Sequence, residues 1–334
     1  MLTTGRTPQE VEVETPSGTR LRLGLVRQET GPGFAQCGVV KDAGDDIDAT
    51  HGLEIRAEVR LFPGQGVEIK GGPGVGRVTS PGLPVPPGEW AINPVPRRMI
   101  AREVASLLPP GYGAEVTITV PGGEEVAART YNPRLGIVGG ISILGTSGIV
   151  EPRSQEAYKA TVALAISVAA ASGQKRLALC FGYLGEARAQ ALGFPPEAIV
   201  RTGDYMGFAL EQCRTQGIPE ALLVGHLGKL AKVAAGIFNT HFRYGDARME
   251  TLAALAGLHG AGPEVIQEVL GQDSAEAAGQ VLNREGLGIV FDELAKRVVA
   301  RASRLVGHAL NIDCLVLNLK GEVLGGCPET LSIR

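Results

Sequence analysis

Aromatic residues make up only 4% of this 334-residue chain, too few for the stacking platforms on which single-stranded nucleic acids lie. An excess of basic charge is missing as well. Lys and Arg number 32 against 35 Asp and Glu, a formal net charge of -3, which excludes a general nucleic-acid coat. No apolar run approaches the roughly 18 residues that a bilayer span requires. The opening Met1–Pro8 has no basic stretch followed by an apolar one, so no secretory signal is read and a reducing cytoplasm is the expected compartment. Cysteines are few and odd in number: Cys37, Cys180, Cys213, Cys314 and Cys327. None forms Cys-x-x-Cys, which excludes a zinc ribbon and a thioredoxin-type redox pair. Cys180, within Leu-Ala-Leu-Cys-Phe, reads as a buried free thiol.

Glycine is what the chain has in excess. The 47 glycines are about 14% of the residues, against an average near 7%. With 44% hydrophobic and 20% charged residues, the composition is that of a globular protein with many turns and close backbone approaches. The length gives a prior of about two domains.

The two halves follow different patterns. In the first, Val11–Thr15 and Arg20–Gly24 alternate around Ser17-Gly18, a hairpin signal. Gly38–Lys41, Leu53–Arg60 and Glu115–Val120 are further strands, and Arg97–Leu108 has helical spacing up to Pro109-Pro110-Gly111. Residues 64–96 read as one long irregular stretch. From Ser154 an Ala-rich helix runs to about Ser172. Short apolar strands (Arg176–Phe181, Ile199–Thr202, Ala221–Gly225, Asp313–Leu317) then alternate with helices such as Asp204–Gln216 and Glu285–His308. This alternation predicts an α/β domain with a mainly parallel sheet, over 136–334, after an α+β domain with glycine-rich loops, over 1–135.

Loops after the strands of a parallel sheet face the ligand crevice. Gly225-His226-Leu-Gly-Lys229-Leu-Ala-Lys232 is such a loop. Its amides and Lys229 suit an anion, and the His226 imidazole can serve as base, donor or orienting group; a surface His beside solvated lysines is the plainer alternative. The acidic loop with Asp42, Asp45, Asp46, Asp48 and His51 fails the spacing of a calcium loop. It reads as a capped turn or as carboxylates facing a substrate. Gly71–Arg77 resembles a phosphate cradle, yet no Gly-Lys-Ser/Thr follows. The run Gly136–Gly148 sets glycines beside hydroxyls, where a backbone can approach a ligand closely; a bulged interdomain strand is the plainer alternative.

Several segments resemble a known family. Lys41–Asp46 with Thr50-His-Gly52, Gly74–Thr79 with Pro81–Pro84, and Ile92–Arg97 are similar to its signatures. The longest matches are Asn132–Thr146 and Val224–Lys229, running on to Gly236–His241. In this order and at this length they resemble the cobalt-precorrin-5B C1-methyltransferases, the CbiD type, over residues 38–250. Family members also open with Thr-Thr-Gly followed by an Ala-rich helix, whereas here Thr3-Thr4-Gly5 passes almost directly to Val11.

The resemblance implies a small α+β domain joined to an α/β domain. It also implies methyl transfer from S-adenosylmethionine to carbon 1 of a cobalt-bearing tetrapyrrole in anaerobic cobalamin synthesis. Cobalt would belong to the substrate, with no metal site of the protein's own, no nucleic-acid or membrane partner, and homo-oligomerisation left open. A substrate ringed by carboxylates wants cations, and Arg97, Arg134, Lys229, Lys232, Arg243 and Arg248, with His241, are the candidates. Gly139, Gly140, Ser142, Gly145, Thr146 and Gly225 are the candidates for the methyl donor. His226, Asp42 and Asp45 are those for adjusting charge at the ring. A carrier that binds the tetrapyrrole without catalysis, and a phosphate-dependent enzyme using the 71–76 loop, are the alternatives.

Overall fold

The computed structural model describes residues 1–2, 5–46, 48–150 and 154–327; Thr3 and Thr4 of the opening motif lie outside them. The chain forms two compact units, Met1–Gln155 and Glu156–Arg334.

In the first unit, β1 (Glu10–Glu14) and β2 (Arg20–Gly24) pair as an antiparallel hairpin. A five-stranded sheet follows, whose first four strands in the chain are β3 (Arg27–Gly31), β4 (Phe34–Val40), β5 (Glu54–Pro63) and β6 (Val67–Gly71). The short β7 (Gly74–Val75) and β8 (Arg77–Val78) come next, then α1 (Pro94–Ala105) and β9 (Tyr112–Thr119). The order is β3-β4-β5-β9-β6, antiparallel except for the parallel pair β6 and β9. Val116, Ile118 and Val120 from β9 and its end make a core with Val75, Ile92 and Ile141, against which Ile100 and Val104 of α1 pack. The stretch 64–96, expected to be irregular, therefore contains three strands. Val67-Glu-Ile-Lys alternates inward and outward in β6, a signal hidden among its glycines.

After α2 (Gly123–Ala127) come β10 (Ile137–Val138) and β11 (Gly140–Ile141). They pair with β8 and β7 of the same unit. This pairing carries the first unit past the boundary expected at 135/136, because residues 137–141 are bonded to it.

The second unit is a layered α/β structure. Its elements are α3 (Gln155–Ala171), β12 (Arg176–Cys180), α4 (Tyr183–Ala191), β13 (Ile199–Arg201), α5 (Met206–Thr215), β14 (Glu220–His226) and α6 (Leu227–Ala234). Then follow α7 (Arg248–Leu258), α8 (Pro263–Leu270), α9 (Ala275–Arg284), α10 (Ile289–Leu305), β15 (Asn311–Leu317) and β16 (Val323–Gly326). The sheet order is β13-β12-β14-β15-β16. All pairs are parallel except β15 with β16. Alternate residues serve opposite faces: Leu177 and Leu179 join the large core with α5, α6 and α10, while Ala178 and Cys180 pack on the α4 side. Burial on both faces explains why these strands are continuous apolar runs.

The connection leaving β12 runs out to β13, and the one leaving β14 runs the other way to β15. The carboxyl ends of β12 and β14 therefore form the switch point at which open α/β sheets bind ligands.

Candidate functional site at the carboxyl edge of the second unit

The two loops at the switch point are Phe181-Gly182 and Gly225-His226. Gly225 is buried, and a side chain there would strike the Phe181 ring, so its glycine is required by packing. Gly182, at the start of α4, has open space where a side chain would stand. A ligand can approach the backbone there.

His226 is the N-cap of α6. Its Nδ1 accepts from the Gly228 N–H at 3.2 Å. Nε2 then carries the proton and lies 3.2 Å from Glu276 Oε2, which also accepts from the Leu319 N–H at 3.1 Å. Both ring nitrogens are engaged, so His226 here caps a helix and ties α9 and the β15–β16 turn to the switch point. It holds no free lone pair with which to act as a base.

Around the corner, Asp204 gathers three hydrogen bonds from two residues. Lys229 Nζ donates to its Oδ1 at 2.5 Å, and the Thr240 hydroxyl donates to the same oxygen at 2.7 Å. The Thr240 N–H bonds the Asp204 carbonyl at 3.0 Å. Burial pushes the Asp204 carboxyl up, but the bonds from Lys229 and Thr240 outweigh it and hold it below the usual carboxylate range. Lys232 is only 5% exposed and donates to the Thr240 carbonyl at 3.2 Å. Instead of facing a substrate, it anchors the segment after α6. Tyr205 and Tyr158 stack obliquely with ring centres 5.6 Å apart, and the Lys159 ammonium sits 5.3 Å over the Tyr205 ring.

The anchored segment continues into a short 3-10 turn, Phe242–Tyr244, capped by His241, whose Nδ1 accepts from the Arg243 N–H at 3.4 Å. Arg248 grips Asp246 with two nitrogens, at 2.6 and 2.8 Å. The Arg248 bond first of all, against slight burial, lowers the Asp246 carboxyl to about 2. Lys229, His241, Arg243 and Arg248 thus share one region with the switch point. Asp204, Thr240, Glu276 and Gly182 belong there too, although only Asp204 opens a recognisable helix pattern in sequence.

The remaining sequence candidates lie in the first unit. Arg97 donates Nε to the Ile92 carbonyl at 2.9 Å and its terminal nitrogens to the carbonyls of Trp90 and Ile69, at 3.3 and 3.4 Å. It fastens the loop ahead of α1. Arg134 stands 5.4 Å over the Tyr131 ring. Asp42 and Asp45 are exposed; Asp42 accepts from the Gly44 N–H at 2.8 Å, and the Ala43 N–H donates to His51 Nδ1 at 3.0 Å. Lys41 pairs with Asp48, which also accepts from Thr50. Asp42 and Asp48 thus cap turns within the acidic loop, while Asp45 presents its carboxylate to solvent.

The glycine motifs of this unit are largely explained by backbone crossings. A side chain at Gly74 would run into the Val120 carbonyl, one at Gly140 into the Gly74 carbonyl, and one at Gly76 into Ile137. Ser142 donates to Asn132 Oδ1 at 3.2 Å, and Asn132 in turn donates to the Gly140 carbonyl at 3.1 Å. Gly139 and Gly145 keep open space beside them, and Thr146 is exposed. With the 71–76 loop accounted for by packing, the phosphate-enzyme alternative loses its sequence basis. Among the described residues no three His, Cys, Asp or Glu side chains converge as a metal site, and no helix is long and apolar enough to cross a membrane.

Residues 1–152 match the family model described as CbiD, and residues 239–328 match that of the CbiD C-terminal domain. The cobalt-precorrin-5B C(1)-methyltransferase of Thermoanaerobacter sp. (strain X514) is 46% identical over 98% of this chain and 90% of its own. The protein of that name from Methanocaldococcus jannaschii is 44% identical over 96% of this chain and 89% of its own. A crystal structure of the cobalamin biosynthesis protein (cbiD) from Archaeoglobus fulgidus is 27% identical and covers 75% of this chain and 78% of its own, with a TM-score of 0.35. With 46% and 44% identity to the two methyltransferases sustained over nearly its whole length, the chain belongs to the CbiD family.

Proposed function

We propose that this protein methylates carbon 1 of cobalt-precorrin-5B, giving cobalt-precorrin-6A in anaerobic cobalamin synthesis, with S-adenosylmethionine as the methyl donor. The observation that carries the reading is the 46% identity, over 98% of the chain, to a relative named for that reaction. Bound, the donor supplies a methyl group already activated on a sulfonium. The protein's work is then alignment of the reacting atoms and exclusion of water.

The switch point of the second unit fits such a donor. Lys229 and Asp204 stand side by side with opposite charges. They match a zwitterionic amino-acid group, the ammonium against Asp204 and the carboxylate against Lys229. Gly182 offers open backbone beside them. Of the residues first considered for the donor, Gly225 lies here; Gly139, Gly145 and Thr146 remain open in the first unit. His226 acts by holding the α6 start in place, and Lys232 by holding Thr240. Cations left for the carboxylates of the tetrapyrrole are Arg243 and, when it exchanges Asp246, Arg248. Arg134 keeps that role open in the first unit.

The test is anaerobic incubation of the protein with cobalt-precorrin-5B and S-adenosylmethionine, followed by mass analysis of the ring. A gain of one methyl group supports the proposal. Tetrapyrrole binding without that gain would make the protein a carrier instead.

A further inference from the structure

In a chain with so few aromatic residues, exposed ones are informative where they cluster. Phe242 is 73% exposed and Tyr244 57%, and they flank Arg243 in a single turn. The His241 ring lies 4.5 Å from the Phe242 ring at an interplanar angle of 33°, and the Arg243 guanidinium sits 5.8 Å over the same ring. Among the described residues Arg243 has no carboxylate partner, whereas Lys229 and Arg248 each have one. Large exposed rings cost solvation unless a partner covers them.

The turn is also firmly held. Thr240, 1% exposed, is fastened to Asp204 through its amide and its hydroxyl, and Lys232 holds its carbonyl. The chain at Asn239 bridges to Tyr205. On the far side Gly245 takes φ +133°, a conformation other residues rarely adopt, and a side chain there would meet Ile237. Two exposed rings and a cation without a carboxylate partner among the described residues thus stand on a rigid mount beside the switch point. A flat ligand whose faces are apolar and whose rim carries carboxylates matches that combination in apolar character and in charge.

We propose that Phe242 and Tyr244 form the platform on which the tetrapyrrole ring lies, with Arg243 gripping one of its peripheral carboxylates. The proposal rests on the reading that the protein acts on cobalt-precorrin-5B, and it assigns the ring to this turn. Because both rings are exposed, their removal leaves the core untouched.

The experiment compares the unaltered protein with the double variant Phe242→Ala/Tyr244→Ala, with Arg243→Gln, and with Phe242→Tyr. It reads KM for cobalt-precorrin-5B, kcat, and the Kd for S-adenosylmethionine. In the double variant KM rises about tenfold, as the loss of two stacking contacts predicts. kcat and the donor Kd stay within about twofold, and Phe242→Tyr keeps most of the affinity. Arg243→Gln raises KM and flattens its dependence on salt. An active unaltered protein whose KM is the same in the double variant, or whose variants lose only kcat, overturns the platform and leaves the methyltransferase reading intact. An unaltered protein that neither binds nor methylates the tetrapyrrole overturns both.

Discussion

At the scale of single residues, the site is organised by groups that sequence alone casts in other roles. Histidine is not a usual helix cap, so nothing in Gly225-His226-Leu-Gly228 announces that Nδ1 will accept the Gly228 N–H. His226→Ala removes that bond and the tie to Glu276. We expect a loss of about 1 kcal/mol, the usual cost of a missing cap, measured by chemical denaturation, and His226→Asn recovers most of it. Unchanged stability in His226→Ala would contradict the capping role.

The carboxylates give a pH prediction at the same scale. Asp48, Asp204 and Asp246 all lie below their ordinary range when folded. Burial works against this in Asp48 and Asp204, but their lysine and threonine partners outweigh it. A carboxyl with a folded value below its unfolded one contributes stability that is fully present above the unfolded value, about 4, and lost as pH falls through the folded one. Denaturation midpoints should therefore hold steady above about pH 5 and fall below it. The Asp246 contribution goes last, near its value of about 2. Asp204→Asn should make the acid slope shallower; an unchanged slope would show that Asp204 is not part of it.

At the scale of elements, legibility followed the strength of the periodic signal. The parallel strands of the second unit are uninterrupted apolar runs between helices, and β12, β13, β14 and β15 stand within a residue or two of where the sequence puts them. The antiparallel edge strand β16 was not legible. Val323-Leu-Gly-Gly is short and half glycine. The glycine motifs were visible, but their purpose was not, because a ligand and a crossing strand both demand the same missing side chain. Gly74 illustrates this: its φ is +80° and the Val120 carbonyl occupies the space of a side chain. Gly74→Ala should cost about 3 kcal/mol or more in the first unit. Gly24→Ala, in a strand with open space around the position, should be neutral or slightly stabilising. Thermal melts of the two variants compare them directly, and equal midpoints would argue against a close backbone crossing.

At the scale of the whole molecule, composition excluded more than it assigned. Few aromatics argued against a nucleic-acid stacking surface, yet the local concentration at Phe242 and Tyr244 is what marks a surface for a flat ligand. Ordered family motifs carried the functional reading, and the fold then sorted the candidate residues. Lys229, Arg243 and Arg248 stay at the carboxyl edge of the second sheet, while Lys232 and Arg97 turn inward to hold backbone carbonyls. The central claim is that this chain moves a methyl group to one carbon of one ring. The measurement that tests it most directly supplies S-adenosylmethionine labelled in its methyl carbon, with cobalt-precorrin-5B under anaerobic conditions, and locates the label in the product by carbon NMR. The account predicts stoichiometric label on carbon 1 of the ring; label on a different carbon, or none on the tetrapyrrole, would contradict it.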